Sequence, residues 1–559
     1  MPVGDAMIAR RSTALESPLW LGVLVVAFGV GAWLRLDQLT SQVLIDDEWH
    51  AVHQLLLYSP SEMFLDFGYA DYSIPLGILD WYEAQWWGLS ELAMRLPMLL
   101  AGLATLILFP LYVARRLSYA AAAVFALLLA VSPLLVIYSR MARPYALTLL
   151  FAWLAHAAFQ RYWQADRGKL AAGITYGASA TLAIWLHLVI APFALAPLLW
   201  GAYQIRRCAP HSRRERWLKL LRLALPTGAA IAILIVPPYV ASARWLSLKS
   251  GLDLPNPATM VGAWYAWFGT PSTWVLAGCM GLAAFGMAEL WRRLPEARTG
   301  ALGVLLTLLG VLLTRPMFSY NPVTLARYLL PLLPLLLLAL GAGAAGIASR
   351  VIANGFPRRA LAVALVLGPV AALLWDSPLA PLIREPNSHT LHLAYHFDFR
   401  PDRNPYFTRA ADIPLSPFWA SLHALPPNSV RLAVAPAYFE SFNWDGPRWE
   451  RLSRQTVVPA YLIGLCTGRR FGEVPRDARF RFVNAVHLAD NASLRAHRID
   501  YVVWQKPYVR DVDGHPRTMG IDTAHCEPTL RARFGTPAFE DEHIVAFRVA
   551  VNATAHAQR

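Results

Sequence analysis

Apolar stretches long enough to cross a lipid bilayer recur from Pro18 to Trp375, and no other feature constrains this chain as much. A hydrocarbon core about 30 Å thick requires roughly 20 apolar residues in a helix. Only 15% of the 559 residues are charged, whereas an average soluble domain carries roughly a quarter. The sequence therefore predicts a polytopic α-helical membrane protein. After Asp376 the pattern stops and ordinary globular sequence follows.

We predict about eleven transmembrane helices in residues 1–375 and a soluble α/β domain in residues 376–559. A long first loop, 37–94, holds amphipathic stretches rich in Trp and Tyr, which favours helices lying in the membrane interface. The predicted spans are 18–36, 95–114, 118–138, 144–163, 170–186, 188–205, 220–240, 272–291, 299–314, 328–349 and 359–375. The strand-like runs of the soluble domain are 430–434, 499–504 and 543–549.

The charges of the loops predict the orientation of the chain, because cytoplasmic loops are enriched in Lys and Arg. With the N-terminus inside, the inner segments hold 20 Lys and Arg and 6 Asp and Glu, an excess that equals the formal net charge of +14. Membrane topology thus accounts for the positive net charge of the chain, and we predict no nucleic-acid partner. We expect a multi-pass protein of the inner (plasma) membrane, with a cytoplasmic N-terminus and a periplasmic or extracellular C-terminal domain.

Three consecutive carboxylates follow the first span: Asp46, Asp47 and Glu48, with His50 and His53 close behind. One interpretation is structural, because Asp and Glu favour the first turn of a helix. The other is catalytic: a carboxylate at the membrane surface can take a proton from the hydroxyl of a substrate. Asp46, Asp47 and His50 are also candidate ligands for a divalent metal, and the sequence indicates no other cofactor.

Few basic residues lie on the predicted outer face. Four arginines there could bind a phosphate bidentately, or they could reach lipid headgroups as ordinary anchors. Lys249 and Trp264, in the 241–271 loop, are candidates together with His50 for contacting substrate or acceptor, although Trp264 also fits an ordinary aromatic belt. The candidate phosphate ligands are Arg95, Arg140, Arg143 and Arg327, with the adjacent Tyr145 and Tyr328.

Four segments of the membrane half resemble the GT-C glycosyltransferases, in particular the family 39-like group of protein O-mannosyltransferases and lipid A aminoarabinose transferases. Each occurs in the family's order, on the predicted outer face. They are Asp47-Glu48-Trp49-His50, Ser90-Glu91-Leu92-Ala93-Met94-Arg95-Leu96-Pro97, the run from Ser132-Pro133 to Tyr138-Ser139-Arg140-Met141-Ala142-Arg143-Pro144-Tyr145, and Arg327-Tyr328-Leu329-Leu330-Pro331. The family often has His or Lys before a Pro-Leu in the first loop, where this chain has Ile74.

The resemblance implies an inverting transfer of a sugar from a polyprenyl-phosphate donor to a hydroxyl group of a glycan, lipid or protein acceptor. The general base of the family's Asp-Glu pair corresponds to Asp47, and the upstream Asp46 could share that role. The alternatives are a transporter or flippase of lipid-linked sugars, a polysaccharide ligase, or a noncatalytic scaffold. Transporters tend to contain internal repeats and intramembrane charges, whereas no repeat is evident here.

Cysteine positions predict one disulfide. Cys466 and Cys526 both fall in the soluble domain, on the side of the membrane expected to be oxidising, so we predict that they pair. Cys208 falls in a predicted cytoplasmic loop and Cys279 within a predicted span.

Overall fold

A computed structural model describes residues 18–44, 46–67, 73–165, 169–251, 253–351, 356–375, 377–379, 414–437, 439–468, 474, 476–512 and 515–549. Up to residue 375 these residues are almost entirely helical. The helices are α1 (Pro18–Leu36), α2 (Asp46–Leu57), α3 (Pro60–Leu65), α4 (Ile74–Trp86), α5 (Glu91–Arg116), α6 (Tyr119–Val131), α7 (Pro133–Ser139), α8 (Tyr145–Gln164), α9 (Leu170–Leu186), α10 (Ala191–Arg206), α11 (Pro210–Ala241), α12 (Ala243–Leu248), α13 (Pro257–Phe268), α14 (Thr273–Arg293), α15 (Pro295–Thr314), α16 (Pro322–Tyr328), α17 (Leu333–Val351) and α18 (Phe356–Leu374).

The chain is a polytopic α-helical membrane protein with a C-terminal α/β domain, as predicted. Each of the eleven predicted spans contains a helix. Among the described residues, seven helices are long and apolar enough to cross a membrane, or eight if the bent pair α6–α7 counts as one span. The expected number of eleven therefore stays a prediction.

The bend between α6 and α7 has a local cause. The two helices meet at 61°, with Ser132 in an extended conformation (φ −66°, ψ 116°) and Pro133 in the first turn of α7. A proline disfavours helical backbone at the residue before it and removes a donor from the ladder of hydrogen bonds. The bend sets the course of the short helix α7, which ends just before Arg140.

Small residues let two of the membrane helices approach closely. A Cβ added at Gly286 of α14 would lie 1.8 Å from the carbonyl oxygen of Ala339, and one at Gly343 of α17 would lie 2.0 Å from that of Leu282. Only glycine fits such a backbone contact, which is a common way for helices to associate in lipid.

The C-terminal domain is built on a six-stranded sheet in the order β3-β2-β1-β4-β8-β7. The first four strands in that order run parallel, and β8 and β7 are antiparallel to their neighbours. Strands β1 and β4 at its centre are continuous apolar runs, as expected of strands buried on both faces. The strands are β1 (Arg431–Ala435), β2 (Thr456–Tyr461), β3 (Val486–His487), β4 (Tyr501–Gln505), β5 (Tyr508–Val512), β6 (His515–Met519), β7 (Phe539–Glu540) and β8 (Ile544–Arg548), and the helices are α19 (Pro417–Ser421), α20 (Phe439–Ser453), α21 (Asn491–Ala496) and α22 (Glu527–Phe534).

The three predicted strands correspond to β1, β4 and β8, and the predicted disulfide is present, with 5.5 Å between the Cα atoms of Cys466 and Cys526.

The division of the chain at residue 375 differs from the structure. Residues 38–60 and 77–96, from the first loop and the start of α5, belong to the same compact unit as residues 379–559, whereas 1–37, 61–76 and 97–378 form the other unit. The reason is burial: Val43 lies in the same hydrophobic core as Ala435, Ala460 and Trp504.

Candidate functional site

The Glu of the Asp-Glu pair is fully engaged by an arginine. Glu48 is 1% exposed, and its two carboxylate oxygens accept hydrogen bonds from Nε and Nη2 of Arg95, both at 2.8 Å. The other N–H groups of Arg95 donate to the carbonyl oxygens of Leu39, Gln42 and Val43 at 2.7–3.0 Å. A guanidinium has five N–H donors, so each donor of Arg95 has a protein acceptor.

This geometry bears on two predicted roles. Arg95 was expected to bind the donor phosphate, and its five donors bind Glu48 and three carbonyl oxygens in this structure. Glu48 was expected to share in catalysis, and it is buried in a bidentate ion pair. These contacts favour a structural role for both residues, and their predicted roles toward a substrate stay predictions.

Asp47 lies in the first turn of α2 and is partly exposed. Asp46 is the first residue of that helix, and its side chain lies outside the described part of the structure. The helix is anchored by Trp49, whose Nε1 donates to the carbonyl oxygen of Leu44 at 3.2 Å. The Trp49 ring also packs edge-on against Tyr461 at 6.2 Å. These contacts hold the first turn of α2, and hence Asp47, in one place within its unit.

The candidate metal ligands do not belong to a metal-binding cluster among the described residues. His50 is partly exposed, and among the described residues no group of three or more His, Cys, Asp or Glu side chains could hold a metal ion. His53, one turn further along α2, is buried; burial and the nearby His50 lower its pKa to about 4. It is therefore a neutral imidazole at physiological pH.

In the other unit, a cluster of side chains brings together four of the six predicted phosphate-binding residues. The guanidinium carbon of Arg327 lies 6.0 Å from the ring centre of Tyr145 and 5.6 Å from that of Tyr328. His187 bridges the two tyrosines, with ring-to-ring distances of 5.3 Å to Tyr145 and 5.6 Å to Tyr328. Arg143 completes the cluster: together with burial, the charges of Arg143 and Arg327 lower the pKa of His187 to about 3.

This Arg-Tyr-His cluster, formed by Arg143, Tyr145, His187, Arg327 and Tyr328, concentrates positive charge in a buried place. Arg143 is 8% exposed and Arg327 is 9% exposed. Two guanidinium groups beside one partly buried histidine, itself held neutral, form an environment that favours an anion. Sequence reasoning did not assign a role to His187. Its signal was its position at the break between two apolar stretches, where a loop turns back toward the membrane.

Arg140 contacts the end of α1, and its predicted role in phosphate binding stays a prediction. Its Nη1 donates to the carbonyl oxygens of Leu34 and Asp37, at 3.0 and 2.5 Å, at the end of α1. Arg35 of α1 makes similar contacts at the end of α6, from Nη2 to the carbonyl oxygen of Leu129 and from Nη1 to that of Ala130. Arg140 thus binds carbonyl groups at the end of α1 and Arg35 binds those at the end of α6, where a helix leaves its last carbonyl groups without a partner of its own.

Lys249 and Trp264 lie apart in the chain. Lys249 follows α12 and is partly exposed. Trp264 is in α13 and contacts Trp267 and Phe268 of its own helix. Trp267 donates from Nε1 to the carbonyl oxygen of Ala326, next to Arg327. The aromatic face of α13 therefore supports the segment that carries Arg327, and the roles of Lys249 and Trp264 toward a substrate stay predictions.

A buried carboxylate pair on α4 escaped sequence reasoning. Asp80 is 3% exposed and Glu83 is 6% exposed, one helical turn apart. Burial, reinforced by the charge of Glu83, raises the pKa of Asp80 well above its usual range, and burial raises the pKa of Glu83 to about 7. The amphipathic pattern of α4 places Asp80 and Glu83 on a polar face, and such a pattern does not indicate that both side chains are buried.

No protein-family model and no curated protein matches the chain. Among solved structures, it is similar in fold to ArnT from Cupriavidus metallidurans bound to undecaprenyl phosphate, with 14% identity and a TM-score of 0.42 over 97% of this chain and 99% of that one. It is also similar to the oligosaccharyltransferase AglB from Archaeoglobus fulgidus in complex with an inhibitory peptide and a dolichol-phosphate, with 12% identity and a TM-score of 0.41 over 88% of this chain and 70% of that one.

Proposed function

We propose that the chain is a membrane glycosyltransferase. It moves a sugar from a polyprenyl-phosphate donor to a hydroxyl group of an acceptor on the non-cytoplasmic face, with inversion at the anomeric carbon and Asp47 as general base. The observation that carries this proposal is the difference in burial and in hydrogen bonding between Asp47 and Glu48. Glu48 is buried and bound at both oxygens by Arg95, whereas Asp47 is partly exposed in the first turn of a firmly anchored helix.

In the proposed reaction, the carboxylate of Asp47 takes the proton of the acceptor hydroxyl as its oxygen attacks the anomeric carbon. The bond between that carbon and the phosphate oxygen breaks on the opposite face, and the lipid phosphate leaves with the electron pair. A phosphate needs no protonation to leave, so one carboxylate is enough. Arg143 and Arg327 would bind the phosphate and stabilise its growing charge.

The lipid tail of the donor would lie among the membrane helices, and its phosphate would meet the Arg-Tyr-His cluster. The burial of Arg143 and Arg327 supports this proposal, because hydrogen bonds between charged groups are stronger where water is excluded. A sugar donor outside the cytoplasm has to arrive on a lipid, since nucleotide sugars are confined to the cytoplasm. The proposed location is the inner membrane, and the acceptor is a glycan, a lipid or a protein.

Replacing Asp47 with Asn tests the proposal, because Asn keeps the shape and removes the base. In a strain lacking the gene, we expect the Asp47→Asn variant to restore the missing envelope glycoform about 10²- to 10⁴-fold more slowly than the wild type. Mass spectrometry of envelope glycans and glycoproteins is the readout, with the amount of protein in the membrane measured in parallel. Glu62→Gln is the matched control: it removes an exposed carboxylate from the neighbouring helix α3.

Three outcomes discriminate between the alternatives. Full activity of Asp47→Asn with loss in Asp46→Asn would move the base one residue upstream. Full activity of both variants would overturn the glycosyltransferase proposal. A strain that accumulates the lipid-linked sugar on the cytoplasmic side would indicate a flippase.

A further inference from the structure

The backbone between α1 and α2 is irregular, and its two ends are buried. Leu39, Gln42, Val43 and Leu44 are each less than 9% exposed, Thr40 and Ser41 between them are exposed residues, and residues 39–44 form neither helix nor strand. Carbonyl groups in such a segment cannot rely on regular secondary structure for their hydrogen bonds, and burial without a partner is costly. The segment lies two residues before Asp46, so whatever holds it also determines where α2 begins.

Three side chains hold this segment through six consecutive carbonyl groups. Arg95 donates to those of Leu39, Gln42 and Val43. Nδ2 of Asn484 donates to those of Thr40 and Ser41, both at 3.1 Å. Nε1 of Trp49 donates to that of Leu44. Trp49 follows the segment in the first loop and Arg95 lies in the first turns of α5, but Asn484 comes from the C-terminal domain, 444 residues beyond Thr40.

Asn484 is itself held on every side. It is 3% exposed, and its Oδ1 accepts a hydrogen bond from Nη2 of Arg431 at 3.1 Å. Its backbone N–H donates to Oε1 of Glu91 at 3.0 Å, and the N–H of Val483 donates to Oε2 of the same carboxylate at 2.8 Å. Glu91 begins α5, the helix that carries Arg95 one turn later. Asn484 and Arg95, two of the residues that bind the carbonyl groups of the segment, are therefore connected through the first turns of α5.

We propose that Asn484 is a positioning residue for Asp47. This inference rests on the proposed function and adds a role for the C-terminal domain: its amide fixes the 40–41 turn, which fixes the start of α2 and with it the position of the base. Asn484 does not touch the reacting atoms. A catalytic group displaced by about 1 Å can lose on the order of 10²-fold in rate, so a residue that controls such a displacement affects turnover while remaining outside the site.

Asn484→Asp replaces the donating amide group with an acceptor that faces two carbonyl oxygens and leaves the size of the side chain unchanged. The domain offers a matched control in Gln455, which is fully buried and whose Nε2 donates to the carbonyl oxygens of Leu422 and Pro426. Its Oε1 also accepts a backbone N–H, from Val430. Gln455→Glu therefore makes the same chemical change at an equally buried amide that holds a different turn.

Two readouts separate positioning from general damage. Hydrogen exchange of full-length, folded protein should show faster exchange of the amides of residues 38–50 in Asn484→Asp and unchanged exchange there in Gln455→Glu. In membranes of the deletion strain, Asn484→Asp should restore the envelope glycoform about 10- to 100-fold more slowly, whereas Gln455→Glu should keep the wild-type rate per folded molecule. Asn484→Ser, which retains one donor, should fall between Asn484→Asp and the wild type in both measurements.

A double variant decides whether Asn484 acts through Asp47. Residues that act as one unit are strongly non-additive, so adding Asn484→Asp to Asp47→Asn should cause little further loss. A full additional loss in the double variant, an unchanged rate in Asn484→Asp, or failure of both Asn484 variants to fold would each overturn the inference. Failure of the proposed function gives a different result, because Asp47→Asn alone would then be active.

Discussion

Arg95 and Glu48 form a bidentate ion pair in which both side chains are 1% exposed. Removing one partner from a buried pair leaves the other charged and desolvated, which typically costs about 3–5 kcal/mol. We therefore expect Arg95→Met and Glu48→Gln each to lower the free energy of unfolding by several kcal/mol, as measured by thermal denaturation in detergent. The exposed pair Arg293–Glu289 is the control, and Arg293→Met should cost less than about 1 kcal/mol. Equal effects at the two sites would contradict a structural role for Arg95.

The Arg-Tyr-His cluster should bind the phosphate of a polyprenyl carrier. We expect Arg143→Ala and Arg327→Ala to weaken binding of undecaprenyl phosphate by up to several kcal/mol, because each removes a charge-assisted hydrogen bond in a buried place. Lys at either position should restore less than half of the lost binding free energy, since it lacks the planar fork. Native mass spectrometry of the protein with the lipid gives the affinities. Arg244→Ala, at an exposed arginine of α12, is the control for headgroup anchoring, and an effect equal to that of Arg327→Ala would make the cluster an ordinary anchor.

The raised pKa of Glu83 predicts that stability depends on pH. Burial raises the pKa of Glu83 to about 7, above its value in the unfolded chain, so the folded state holds a proton that the unfolded state has released. The associated stability is fully present below about pH 4.5 and is lost as pH rises through about 7. We expect a melting temperature several degrees higher at pH 5 than at pH 8, and a smaller difference in Glu83→Gln. The same difference in Glu83→Gln and in the exposed control Glu62→Gln would refute this assignment.

The Cys466–Cys526 disulfide should protect those two residues from alkylation. In folded protein without reductant, a maleimide should label the partly exposed Cys208 and leave Cys466 and Cys526 unlabelled. Replacing the pair with alanine should lower the free energy of unfolding by about 2–4 kcal/mol, because the bond closes a long loop in the unfolded chain. Labelling of both residues before reduction, followed by peptide mass spectrometry, would show that the bond does not form in the cell.

The charge bias of the loops predicts an external C-terminal domain. Alkaline phosphatase folds only outside the cytoplasm, so a fusion after residue 559 should be active and a fusion after residue 209 inactive. The converse pattern is expected of a reporter that works only in the cytoplasm. Activity of the cytoplasmic reporter at residue 559 would reverse the predicted orientation and place Asp47 on the wrong face for a lipid-linked donor.

The membrane half was predictable because lipid imposes a simple rule: every backbone group must find a partner within its own segment, so a span is a long apolar helix. Boundaries such as 18–36 and 170–186 therefore coincide with helices. The bend at Ser132 lies inside one predicted span. Apolar composition continues across it, so hydropathy gives no warning, although Pro133 supplied a local signal.

The site was harder to predict, because the same residue type serves different chemistries. An outward arginine near carboxylates can bind phosphate, as expected for Arg95, or satisfy buried carbonyl groups, as observed. The choice depends on which backbone lies beside it, and sequence does not contain that information. For the same reason, the contact of Asn484 with Thr40 and Ser41 had no sequence signal, since nothing periodic or local joins residues so far apart.

The separation between Thr40 and Asn484 also determines when the site can be completed during biosynthesis. At about 5–20 residues per second, a ribosome adds the intervening 444 residues in roughly 20 to 90 s. The segment that carries Asp47 is made at the very start of that interval. For the rest of it, the carbonyl groups of the 40–41 turn lack the amide group of Asn484, which binds them in the finished protein. The contact between the two segments can therefore form only after Asn484 has been synthesised, and we expect Asp47, the proposed base, to reach its final position only then. A ribosome that stalls before Asn484 would leave the 40–41 turn, and the start of α2 that follows it, without this contact.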